Sequence, residues 1–98
     1  MEAELIVRDK FKDGGCVTEI VVWKLTAPVP GCRHRFKYRF YFGLDDGTCI
    51  FRYDNERGKG DHRHIDNGEE TYRFTTLQQL FDDFNDQKAA WRLARRKR

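Results

Sequence analysis

The sequence predicts an α+β protein: a twisted antiparallel β-sheet of about five or six strands, with a C-terminal α-helix packed on its aromatic face. Three observations predict it. Short runs that alternate apolar and polar residues, separated by Gly, Asp and Asn, recur along the first three quarters of the chain. The 8 Phe, 4 Tyr and 2 Trp supply enough bulky apolar surface for a core, and many fall on alternate positions. From Thr75 onward the apolar spacing changes from two to the three and four of a helix.

Taken in order, Ala3 to Phe11 reads as a strand with Leu5 and Val7 on one face, and Asp13-Gly14-Gly15 as a turn. Cys16 to Thr26 is a second strand, rich in β-branched residues, and the Pro-containing stretch 27–31 is a loop. Phe36 to Leu44 alternates strictly. Phe36, Tyr38, Phe40, Phe42 and Leu44 share one face, and Lys37, Arg39 and Tyr41 share the other. Asp46-Gly47 suits a two-residue type I′ turn, which sets Phe42 opposite Phe51, Phe40 opposite Tyr53 and Arg39 opposite Asp54. Cys49 then joins Phe51 and Tyr53 on the aromatic face. After a glycine-bearing loop come short strands at His62 to Asp66 and Glu70 to Phe74, joined by an Asp66-Asn67-Gly68 turn. Thr75-x-x-Gln78 reads as a capping box, and Leu77, Leu80, Phe81, Phe84 and Trp91 form a stripe that covers the aromatic face.

The length suits one domain, 1–98, with a basic tail at about 92–98. Residues 88–98 carry six basic side chains and no acidic one, against 13 basic and 16 acidic in the remainder. Such an end attracts an anion or an acidic partner, or serves only as a solvated terminus. No run is long and apolar enough for a membrane span, and the acidic start lacks the pattern of a secretory signal, so the expected location is the cytoplasm. Cys16, Cys32 and Cys49 are expected to be reduced. Cys32 and His34 lie two apart, but no second pair completes a zinc site.

The chemistry-bearing segment runs from Tyr53 to His64. In a strand, His62 and His64 share a face, about 6–7 Å apart at Cα. With Ile65 inward, both imidazoles face the polar side of the sheet, beside Lys37, Arg39 and Arg52. Two imidazoles among cations suit metal-free RNA cleavage, because histidine gives and takes protons near neutral pH. Basic side chains stabilise the phosphoryl charge, and Tyr41 can stack a base. The candidate catalytic residues are therefore His62, His64, Lys59 and Asp61, with Asp61 orienting a histidine. The candidate substrate contacts are Arg57, Arg63, Arg52, Arg39, Lys37 and Tyr41, and no cofactor or metal is expected. A regular strand turns Arg63 away from the histidines. Two other readings stand: a non-catalytic module binding nucleic acid or protein by charge, and a metal-dependent nuclease or phosphotransferase using Asp61, His62 and His64.

The strings Arg52-Tyr53-Asp54-Asn55 and Gly58-Lys59-Gly60-Asp61-His62-Arg63-His64, then Tyr72-Arg73-Phe74-Thr75 and a helix, resemble the TumE toxins of type II toxin–antitoxin pairs. The resemblance includes Tyr38-Arg39-Phe40 and spans roughly residues 36 to 86. It implies a growth-inhibiting toxin, with RNA cleavage as its activity and a helix-turn-helix antitoxin as its partner. The chain departs from the pattern at Glu56-Arg57, where a small residue and a histidine are expected. A homodimer through the edge of the first strand is a further expectation.

Overall fold

The computed structural model describes residues 3–56, 58, 60–66 and 68–96. Among the described residues, six strands follow one another as β1 (Ala3–Asp13), β2 (Cys16–Leu25), β3 (Phe36–Leu44), β4 (Cys49–Asp54), β5 (His62–Ile65) and β6 (Gly68–Thr71), and one helix, α1 (Leu77–Arg96), follows them. The strands form one sheet in chain order, each antiparallel to the next.

Alternation decides which face is buried. Tyr38, Phe40 and Phe42 from β3, with Phe51 and Tyr53 from β4, point to the same side and are almost fully buried. Phe42 lies opposite Phe51 and Phe40 opposite Tyr53, the register that the aromatic pattern demands. Helix α1 covers this face with Leu80 and Phe84, both fully buried. Phe84 meets the rings of Phe40 and Phe51 edge-on at 5.3 and 5.5 Å, and Trp91 meets Phe42 at 5.4 Å.

Three local expectations are corrected. The β3–β4 connection is a three-residue loop, Asp45 to Gly47, not a two-residue type I′ turn. Gly47 N–H donates to Leu44 O at 3.1 Å and Leu44 N–H to Thr48 O at 2.8 Å. Asp46 keeps negative φ, and only Gly47, at +96°, is left-handed. The extra residue is absorbed by a bulge between Phe42 and Gly43, so Cys49 is exposed and the partly buried Ile50 packs against the core. At the helix start the cap is Thr76, whose Oγ1 accepts from Gln79 N–H at 3.0 Å. The side chains of Gln78 and Gln79 run forward to Asp82 and Asp83. Strand β6 stops at Thr71; Tyr72 and Phe74 point inward from the irregular stretch beyond it. The expected Asp66-Asn67-Gly68 turn and the last two basic residues, Lys97 and Arg98, fall partly or wholly outside the described residues.

Candidate functional site

The face turned away from α1 carries two rows of side chains that cross the sheet. One runs Arg39, Asp54, His62, Thr71; the next runs Tyr41, Arg52, His64, Glu69. Pairing across antiparallel strands puts opposite residues on the same face, so both histidines stand with Arg39 and Arg52. On β1, Arg8, Lys10 and Lys12 lie in register with Val21, Glu19 and Val17 and extend this basic surface. Lys37 has its place there too, opposite Trp23. Arg39 is ion-paired with Glu19 and lies over the Tyr41 ring at 5.5 Å.

Although it faces the helix-free side, His62 is only 4% exposed. Its Nε2 lies 3.0 Å from Asp54 Oδ1 and its Nδ1 lies 3.0 Å from the Gly60 carbonyl oxygen. Asp54 is equally buried. Arg52 Nε donates to its Oδ2 at 2.8 Å, and the Glu56 amide donates to its Oδ1 at 3.4 Å. The His64 ring stands edge-on to that of His62, with centroids 5.0 Å apart. Its Nδ1 lies 3.7 Å from Glu69 Oε2, while its Nε2 is out of solvent and has no hydrogen-bond partner among the described residues. Burial, then the Arg52 charge, pushes the His64 pKa below the ordinary histidine value, so the ring is neutral at neutral pH.

Asp61 lies elsewhere. One residue before His62, it points to the opposite side of the strand and accepts from Tyr38 O–H at 2.7 Å and from His34 Nε2 at 2.8 Å. His34 Nδ1 accepts from the Phe36 amide at 3.1 Å, and its ring stacks on Phe74 at 3.7 Å between centroids. Cys32 completes this cluster, its thiol pKa raised by burial and then by the Asp61 charge. Asn55, fully buried, ties the region together. Its Oδ1 accepts from Tyr38 N–H, and its Nδ2 donates to Phe36 O and Cys32 Sγ. The carboxylate that orients a histidine is thus Asp54 for His62, while Asp61 orients His34. A metal set of Asp61, His62 and His64 is not assembled; Asp54 stands in the acidic position instead.

Arg63 pairs opposite Tyr53 on the α1 side, donating to Glu70 at 2.7 Å and to the Tyr53 hydroxyl at 3.3 Å. Arg57 and Lys59 lie outside the described residues. The sequence reading missed His34, Asn55 and the part played by Asp54. For Asp54 a signal existed: the alternation that gave His62 its face also gave Asp54 the same face one strand away. For His34 the Cys32–His34 spacing was a local mark, but its partner Asp61 is reached only through the fold of the loop before β3.

The close approach of two loops sets the start of β5. A Cβ on Gly31 would stand 2.8 Å from Gly60 N, and one on Gly60 would stand 2.9 Å from Gly31 O. Both residues have positive φ, +87° and +80°. Only glycine permits this contact, which holds the Gly60 carbonyl where His62 meets it.

Fold and site together define a small α+β protein whose helix-free sheet face gathers two histidines, an aspartate and basic side chains. The model of the family described as Toxin TumE matches residues 2–92 of the chain. The chain belongs to the TumE toxin family, and membership implies an antitoxin partner. No curated protein and no solved structure matches it significantly. Among the described residues, no helix is long and apolar enough to cross a membrane.

Proposed function

We propose that this toxin acts by cleaving RNA, with the helix-free face of the sheet as its working surface. The observation that supports this reading is the convergence of His62 and His64 with Arg39 and Arg52 in two adjacent rows. In such a cleavage the 2′-oxygen attacks the neighbouring phosphorus and the bond to the 5′-oxygen breaks. One group takes the 2′-hydroxyl proton and another protonates the leaving oxygen, giving a 2′,3′-cyclic phosphate and a 5′-hydroxyl.

In this reading Arg52 and Arg39 balance charge on the phosphoryl oxygens. Arg8, Lys10, Lys12 and Lys37 extend the basic surface that the RNA backbone follows, and Tyr41 offers a ring for stacking. His64, the more exposed imidazole and neutral at neutral pH, has the form that accepts a proton. Its unpartnered Nε2 must turn outward to do so directly. His62 is held too tightly by Asp54 and Gly60 to meet RNA itself and serves to position that corner. Arg57 and Lys59 enter as phosphate contacts on the sequence alone. Arg63 and Asp61, engaged with other partners on the α1 side, have supporting parts. The antitoxin is expected to be a helix-turn-helix protein encoded alongside, and a dimer, if formed, would use an edge strand.

The test is cleavage of a defined RNA by the purified toxin and by its His64→Ala and Arg52→Ala variants. Loss of rate by about a hundredfold or more in each supports the reading. Wild-type protein that binds the RNA and leaves it intact, with or without divalent metal, overturns it in favour of binding by charge alone.

A further inference from the structure

We propose that Asp54, His62 and His64 hold one divalent transition-metal ion, in a site that stands whether or not the toxin cleaves RNA. One ligand atom from each of the three residues lies within 4.8 Å of the other two. Two imidazoles and a carboxylate suit ions of the manganese-to-zinc series better than magnesium or calcium, which favour all-oxygen sets.

The hydrogen bonds show what a single proton would leave unmet. Both nitrogens of His62 face oxygens, so a neutral ring that donates Nδ1–H to Gly60 aims its Nε2 lone pair at the Asp54 carboxylate. A cation between them relieves that contact, and a proton alone would suffice for His62. It would not serve His64, whose Nε2 is buried with no hydrogen-bond partner among the described residues. One metal ion satisfies the His62 nitrogen, the His64 nitrogen and the carboxylate together. The spacing agrees: ligands about 2.1 Å from an ion and about 90° apart lie about 3.0 Å from each other. His62 Nε2 and Asp54 Oδ1 are 3.0 Å apart.

The outer contacts are those that metal-binding histidines require. Gly60 O fixes the His62 tautomer, Glu69 stands beside His64 Nδ1, and Arg52 with the Glu56 amide steadies Asp54. His64, half-buried on a four-residue strand, is the ligand whose ring would turn to close the set.

The second cluster of metal-ligating side chains, Cys32, His34 and Asp61, behaves differently. There Asp61 receives the Tyr38 hydroxyl and the His34 Nε2 proton, and His34 Nδ1 is already taken by the Phe36 amide. A metal on Nε2 would force a proton onto Nδ1, against that amide. The cluster is closed by its own hydrogen bonds and acts as a structural tie.

The experiment is equilibrium dialysis of the full chain against Mn²⁺ and against Zn²⁺, with metal analysis, and the visible spectrum of the Co²⁺ form. One ion per wild-type chain is expected. Affinity should fall by at least about tenfold in His64→Ala and in Asp54→Asn, and stay unchanged in Cys32→Ser. His64→Ala removes a half-exposed ring, and circular dichroism checks that it still folds. No stoichiometric ion on wild type, undiminished binding in folded His64→Ala, or binding that follows Cys32 overturns the proposal. RNA cleaved at full rate by metal-free protein, with no stoichiometric ion in dialysis, leaves the RNA-cleavage reading intact and overturns this one. A bound ion with intact RNA does the reverse.

Discussion

The Tyr38 hydroxyl, carried by the central strand β3, donates a 2.7 Å hydrogen bond to Asp61 Oδ1, the same oxygen that His34 Nε2 approaches. The core-facing ring and the residue just ahead of the histidine strand are thereby locked together. A hydrogen bond to a charged group contributes about 1.5–3 kcal/mol. Tyr38→Phe should lower unfolding stability by about 2 kcal/mol, read as a shift of the urea midpoint at constant slope. An unchanged midpoint would show the bond to be incidental.

The same tyrosine should resist alkali. Burial, then the bond to Asp61, raises its pKa far above the usual tyrosine value, and burial with the Asp83 bond raises that of Tyr72. A folded-state pKa above the unfolded one stabilises the protein below about pH 10, and that contribution is lost as pH rises further. Absorbance titration should show Tyr38 and Tyr72 ionising only together with loss of the fold. Smooth ionisation of all 4 tyrosines near pH 10 in folded protein would contradict this.

Asn55 has no solvent exposure and serves two backbone groups at once, the Tyr38 amide and the Phe36 carbonyl. Asn55→Ala strands both, at about 1–3 kcal/mol for each unsatisfied group. A loss of about 3 kcal/mol is expected, with weakened amide-exchange protection at the start of β3. Protection equal to wild type would show that other groups take over.

Gly31 and Gly60 set a steric limit. Gly31→Ala adds a methyl 2.8 Å from backbone nitrogen at φ +87°, so left-handed strain of about 1–2 kcal/mol adds to a clash that backbone cannot relieve cheaply. The variant should be destabilised by more than about 2 kcal/mol. Because the Gly60 carbonyl moves with it, metal affinity at His62 should fall too. Wild-type values for both would overturn the contact as a determinant of the site.

Stability and activity should separate between two neighbours. Asp54 is buried with Arg52 and His62 around it, and removing one partner of a buried charged set costs about 3–5 kcal/mol. Asp54→Ala is expected near that figure. His64 has a 3.7 Å contact with Glu69 and an edge-on contact with the His62 ring, and is half-buried, so His64→Ala should cost about 1 kcal/mol or less. Growth inhibition should nevertheless vanish in His64→Ala. A toxic, stable His64→Ala would remove His64 from the mechanism.

The sheet was legible because alternation is a strong signal. The shared face of Phe42 and Phe40, and both histidines on the helix-free face, follow from period two. Phe42 lies opposite Phe51 as expected, although a three-residue loop and a bulge, not the expected two-residue turn, set that register. Errors arose where a single residue shifts the frame. Gly47 took the left-handed place without Asp46, which turned Cys49 outward, and Thr76 rather than Thr75 capped the helix. Within the site, the face of His62 was readable and its burial was not. Burial depends on Gly60 folding back and on Asp54 arriving from another strand, and neither leaves a local pattern. The pairing of His34 with Asp61 was unreadable for the same reason, since 27 positions separate them.

Because the strands lie in chain order and α1 follows them all, synthesis delivers the whole sheet before its cover. Phe40, Phe42 and Phe51 leave the ribosome with water on their exposed side and stay wet until the 20 residues of α1 emerge. The growing chain is therefore a sticky, unfinished sheet until its closing step. A product truncated before α1 should aggregate rather than poison the cell.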